Sequence, residues 1–213
     1  GTESTVGGGY TNTANAIKAT VSGGSNNMAS GTESTVGGGY TNTANATKST
    51  VSGGSNNTAS GTESTVGGGY TNQASSTGAT VSGGRDNIAS SGPYPTISGG
   101  SDNEASGVYA VVSGGRDNTA NNAHASVGSG ERNMASSPFA HVSSGQFNEA
   151  SSPFSVVSGG QRDTASGTFA YIGSGQFNKA SGPFSFIGSG ASNTASRAFT
   201  TVSGGDRDSA TGD

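Results

Sequence analysis

The stretch "TVSGGSNNTASGTESTVGGGYTN", Thr50 to Asn72, says nearly the same thing twice: "TVSGG" opens at Thr50 and "TVGGG" at Thr65. The interval is fifteen residues, and it holds along the chain. Aligning on the branched apolar residue puts Val6, Val21, Val36, Val51, Val66 and Val81 in one column. One additional residue in "SSGPYP" shifts the frame, after which the column continues as Ile97, Val112, Val127, Val142, Val157, Ile172, Ile187 and Val202. About fourteen units result, with the consensus T-V-[SG]-G-G-x-x-N-x-A-S-G-x-x-[AS]. Unit positions are counted below from that Thr. Residues 1–30 and 31–60 differ only at Ile17/Thr47, Ala19/Ser49 and Met28/Thr58.

Fifteen residues are too few for a helix pair or a propeller blade, but they suit one coil of a parallel β-solenoid, two short strands joined by tight turns. The expected fold is therefore all-β: a single solenoid over residues 1–213, a rod of about 65–70 Å at roughly 4.8 Å per coil. Strand alternation then assigns the faces. With the Val or Ile at position 2 pointing in, positions 15 (Ala or Ser), 8 (Asn) and 10 (Ala) also point in, and positions 14, 1, 9 and 11 point out. Position 5 is Gly in every unit, while position 4 relaxes to Ser at Ser129, Ser144, Ser174 and Ser189. Position 5 is thus read as a turn residue with positive φ. The position 8 column, Asn except at Asp163 and Asp208, is read as stacked side chains that satisfy turn backbone groups and bond to the next coil.

Composition agrees with a periodic scaffold. Only 28% of residues are hydrophobic, there are 39 Gly and no Cys or Trp, and only 10% are charged, giving a net charge of −4. Disorder of this polarity ordinarily carries more charge. Nine basic against thirteen acidic residues leave no basic stripe for nucleic acid, and no apolar run reaches membrane-span length. The chain opens and stops in mid-motif ("GTES", "SATGD"), as expected of a mature or excised segment of a longer protein.

For chemistry the sequence offers little, and no catalytic role, cofactor or metal is expected. His124 and His141 fall at neighbouring outward positions of successive coils, but Glu131 and Glu149 are poor candidates for the further ligand that a metal site needs. "GGRDN" at Gly83–Asn87 and Gly114–Asn118 lacks the nine-residue period of calcium-binding rolls, and its aspartate column is confined to Asp86, Asp102 and Asp117. "GGGY" has no P-loop Lys.

Two outward columns are more informative. Position 14 alternates Glu3, Lys18, Glu33, Lys48, Glu63, which predicts charge pairs along a solvated face. From Tyr109 it turns aromatic apart from His124: Phe139, Phe154, Phe169, Phe184, Phe199. Beside it, position 1 changes from Thr to Val111, Val156, Tyr171 and Phe186. Two readings stand: an apolar strip that forms a subunit contact, or corner residues whose rings lie over the next coil. Position 1 of the first seven units is a threonine column, Thr5, Thr20, Thr35, Thr50, Thr65, Thr80 and Thr96, either plain strand surface or a ligand face.

"SNNTASGTESTVGGG" and "SGPFSFIGSGASNTAS" resemble the head repeats of YadA-like trimeric autotransporter adhesins and the related β-roll repeats of bacterial and viral fibre proteins. The resemblance covers essentially the whole chain. It implies a left-handed parallel roll, a homotrimer, and an adhesive spacer outside the cell or on a particle surface, engaging an unknown surface receptor. "VSGGSNNTAS" is also similar to the repeats of ryegrass-type ice-binding β-rolls, which implies ice binding through the threonine column.

Overall fold

The computed structural model describes residues 1–212. All regular structure among them is β, built from two-residue strands. Contacts divide the chain into two compact units, Gly1–Tyr109 and Ala110–Asp213, and both are parallel β-solenoids. In the first, β1 (Thr5–Val6) and β2 (Thr13–Ala14) make one coil, and the pattern recurs to β13 (Thr96–Ile97) and β14 (Glu104–Ala105). Each strand pairs in parallel with its counterpart one coil on, Thr5 with Thr20 and Val6 with Val21; across the coil lengthened by Ser91 the register becomes Thr80 with Thr96. The second unit repeats this from β15 (Val111–Val112) to β28 (Ser209–Ala210). A third, single-residue column that sequence alternation did not separate from the turn runs along position 6, Tyr10 to Ser25 to Tyr40 in one unit and Glu131 to Gln146 to Gln161 in the other.

The inward set is the expected one. Position 2 valines and isoleucines, position 10 alanines and position 8 asparagines are buried, as are Ala19, Ser34 and Ala110 of position 15; the exceptions lie in the terminal coils, Val6 at 46% exposed and Asn12, Ala14 and Ala210 half-buried. With so thin an apolar core, buried polar groups must be fully paired. The asparagines do this. Asn27 Nδ2 donates to Gly23 O (3.0 Å) in its own coil and to Gly39 O (2.9 Å) in the next, and its Oδ1 accepts the backbone N–H of Asn42 (2.9 Å). The motif recurs at Asn72, Asn133 and Asn193.

This carboxamide also explains the invariant position 5. Gly130 has φ 99°, and a Cβ there would lie 2.1 Å from Gly145 O and 2.6 Å from Asn133 Nδ2. Glycine is required twice over, by the backbone angle and by the closeness of the next coil.

The corners are the unexpected element. Positions 7 and 14 have positive φ throughout, although almost none of them is glycine: Glu33 (59°), Asn56 (58°), Arg132 (55°), Phe154 (59°) and Phe177 (58°) are typical. Hydrogen-bond direction gives the reason. Most amides point to the following coil, as Thr5 N to Ala19 O and Tyr10 N to Gly24 O, both 2.9 Å. At the two corners the amide is reversed, Lys18 N donating back to Thr2 O and Asn26 N to Tyr10 O, both 2.9 Å. The left-handed residue turns its N–H over without leaving it unpaired. At position 14 the turn is closed by a bond from position 15 to position 12, Ser34 N to Gly31 O (3.1 Å). Pro93, Pro138, Pro153 and Pro183 occupy the residue just before the left-handed one, where a fixed φ near −65° suits a turn.

Two outcomes follow. Gly130→Val should lower stability by about 3 kcal/mol or more, since it combines strain with a backbone clash, whereas Ser129→Gly should stay within about 1 kcal/mol; thermal melts of the two variants compare them directly. The second concerns Asp163. Its Oδ1 accepts from Asn178 N (2.7 Å) and Nδ2 (3.0 Å), but its buried Oδ2 has no partner and stands where the asparagines place a donor. Burial pushes this carboxyl above the usual range, against the hydrogen bonds from Asn178. A raised folded pKa means stability is fully present below the unfolded value and is lost as pH rises through the folded one. Asp163→Asn should therefore stabilise the second unit by about 1–3 kcal/mol at neutral pH and abolish that part of its pH dependence, read by denaturant titrations from pH 3 to 8.

Candidate functional site: the outward columns

Because every coil turns its corners at the same positions, each corner side chain lies in line with its counterparts one coil above and below. In the first unit position 14 carries Glu3, Lys18, Glu33, Lys48 and Glu63, all exposed; Lys48 Nζ comes within 3.9 Å of Glu63 Oε1. Screened pairs of this kind contribute at most about 1 kcal/mol. The column then changes at Gly78, where a Cβ would meet the Tyr94 ring at 2.4 Å. Tyr94 lies over that glycine and stacks on Tyr109 at 5.3 Å.

In the second unit the same corner is a continuous aromatic stack. His124, Phe139, Phe154, Phe169, Phe184 and Phe199 follow one another at centroid distances of 4.7–5.0 Å, tilted by no more than 8°. The corner reading holds: the rings cover each other along the column, and the five phenylalanines are still 44–76% exposed. A left-handed backbone costs a non-glycine residue about 1–2 kcal/mol; each stacked pair returns roughly 0.5–1.5 kcal/mol. The ring faces are consumed within the stack, so its solvent side is a rim of ring edges. That rim suits packing against another apolar surface and leaves no open ring face between neighbours.

Position 1 widens the strip. Tyr171 stacks on Phe186 at 5.4 Å, and its hydroxyl bonds Ser158 Oγ at 2.8 Å. The Val111 and Val156 side chains of the same column face outward, Val111 being 36% exposed. Phe184 and Phe186 flank the buried Ser185, so the two columns run side by side.

The histidines lie in different columns. His124 belongs to the stack, whereas His141 is held between Ser126 Oγ (2.6 Å to Nδ1) and Ser143 Oγ (2.9 Å to Nε2), and burial lowers its pKa. Asp86 and Asp102 face Arg85 at 3.4 and 3.8 Å, and Asp117 faces Arg132 at 3.4 Å. These carboxylates are engaged by arginines, and among the described residues no three His, Cys, Asp or Glu groups converge as metal ligands would.

Sequence reasoning passed over two columns. At position 7 of the second unit Arg132, Phe147, Arg162 and Phe177 alternate, with guanidinium carbons 5.3–5.5 Å from the ring centroids, each contact worth about 0.5–1 kcal/mol at an exposed site. At position 6 Gln146, Gln161 and Gln176 join side chain to side chain, beginning from Glu131, which Arg116 also contacts. The signal was present as the thirty-residue interval between Phe147 and Phe177. The threonine column of the first unit is in register from Thr5 to Thr96, with Thr20 to Thr96 half-buried.

No known family model matches this chain, and no curated protein matches it. No helix among the described residues is long and apolar enough to cross a membrane.

Proposed function

We propose that this chain is a structural and adhesive module of a surface or fibre protein, extracellular or displayed on a particle, working without catalysis. The observation that carries the reading is the paired aromatic strip of the second unit. Its rings are spent on each other at their faces and left open at their edges over five successive coils. An apolar rim of that length gains free energy by being covered, and the natural cover is the same strip on another copy, as in a homo-oligomeric fibre. Covering a ring contributes roughly 1.5–3 kcal/mol, so several together offset the usual costs of association.

Replacing Phe154, Phe169 and Phe184 with Ser should convert an oligomer into a monomer that keeps its β circular dichroism, with mass measured by analytical ultracentrifugation. A wild-type protein that is monomeric at high concentration removes the fibre reading.

A second reading has one observation in its favour: the in-register threonine column of the first unit. Ice binding through it predicts thermal hysteresis in the wild type that is lost in Thr35→Tyr and Thr50→Tyr. Against it, position 3 beside that column alternates Gly and Ser (Gly37, Ser52, Gly67, Ser82) rather than supplying a second threonine.

A further inference from the structure

The first unit carries a second periodicity superimposed on the coil. Position 6 alternates Tyr10, Ser25, Tyr40, Ser55, Tyr70, and parallel bridges hold the five in one register. The tyrosines therefore recur every second coil, about 9.6 Å apart at the usual strand spacing. They are 73%, 54% and 51% exposed, and the serines between them are half-buried. Each serine is fixed from the side, Asn26 Nδ2 donating to Ser25 Oγ (3.2 Å) and Asn56 Nδ2 to Ser55 Oγ (3.1 Å). With a small residue in every other coil, this row cannot close into a continuous stack like the phenylalanine column, so its rings remain available to a ligand.

An independent feature lies alongside. Position 4 is glycine in all seven coils of this unit. At Gly23, Gly53, Gly83 and Gly99 the backbone does not require it, since φ lies outside the left-handed region and a Cβ would meet nothing within 4 Å. The second unit places serine at the same position in four coils, Ser129, Ser144, Ser174 and Ser189. Glycine here leaves a bare shelf of backbone two residues from the tyrosine row.

We propose that the tyrosine row and its glycine shelf bind an extended β-1,4-linked polysaccharide lying along the stacking direction. A two-fold ribbon of equatorially linked pyranoses presents the same ring face once per disaccharide, a length close to two coils. Its apolar C–H faces fit exposed tyrosines, whose rings are apolar and whose hydroxyls remain wet. Its hydroxyl edges fit the Ser25/Asn26 and Ser55/Asn56 pairs. A flat, side-chain-free shelf admits the breadth of the ribbon. This deepens the adhesive reading above and rests on it, by naming the class of ligand.

The test is depletion of the intact chain from solution by microcrystalline cellulose and by chitin, with cellohexaose as a soluble competitor. Wild type should be retained by at least one of these polymers and released by the competitor. The combined Tyr10→Ala, Tyr40→Ala, Tyr70→Ala variant should lose retention by at least about tenfold, a change of roughly 1.4 kcal/mol. The Gly23→Leu, Gly53→Leu variant should lose it equally while melting at the wild-type temperature, because its new side chains enter open space. Failure of the wild type to bind either polymer, or undiminished retention in the tyrosine variant, overturns the proposal. Mass measured on the same samples separates the two ideas: an oligomer that does not bind sinks the polysaccharide site alone, and a monomer that binds sinks the fibre reading alone.

Discussion

The structure depends on a carboxamide buried at the eighth position of nearly every coil. Its Nδ2 ties together the position 4 carbonyl of its own coil and the position 5 carbonyl of the next, and its Oδ1 takes the next asparagine's N–H. One side chain thus satisfies three backbone groups that a coil with a single branched apolar residue has no means of shielding. The invariant glycine follows from it, since a Cβ at position 5 would strike that same Nδ2. So does the exceptional behaviour of Asp163, which has the right shape and lacks the donor.

Once the coils are locked in register, the corners become repeating columns. A left-handed residue at positions 7 and 14 reverses one amide at each corner so that it bonds backwards. The side chains at these corners project outward and line up with their counterparts one coil away. That geometry turns a single sequence choice into a linear array: an alternating charge row, a stack of rings, or guanidinium and ring in turn. The surface of such a fold is organised as columns, and residue type changes along a column from one unit to the other.

The two units use the same frame differently. In the first, charges at the corner, threonines on the strand and tyrosines in every second coil give a wet and interrupted surface. In the second, the corner is aromatic from Phe139 to Phe199 and the neighbouring strand position carries Val156, Tyr171 and Phe186, with the rings saturating each other's faces. Open aromatic faces favour a ligand with flat apolar surfaces, whereas a rim of ring edges favours another apolar surface.

The sequence by itself determined the period, the inward set and the obligatory glycine. These are legible because burial and positive φ each restrict residue type at a single position: Val or Ile at position 2, Ala at 10, Gly at 5. It also pointed to the asparagine column, because an invariant polar residue at an inward position needs partners. The tertiary structure alone decided the corners. Local preference argues against Phe154 or Glu33 in a left-handed conformation, and only pairing with the adjacent coils overrides it. The Arg132–Phe147–Arg162–Phe177 row and the closed phenylalanine stack were likewise hidden. Spacing places such residues one above another, but whether rings cover each other or stay open depends on the side-chain conformations that neighbouring coils allow.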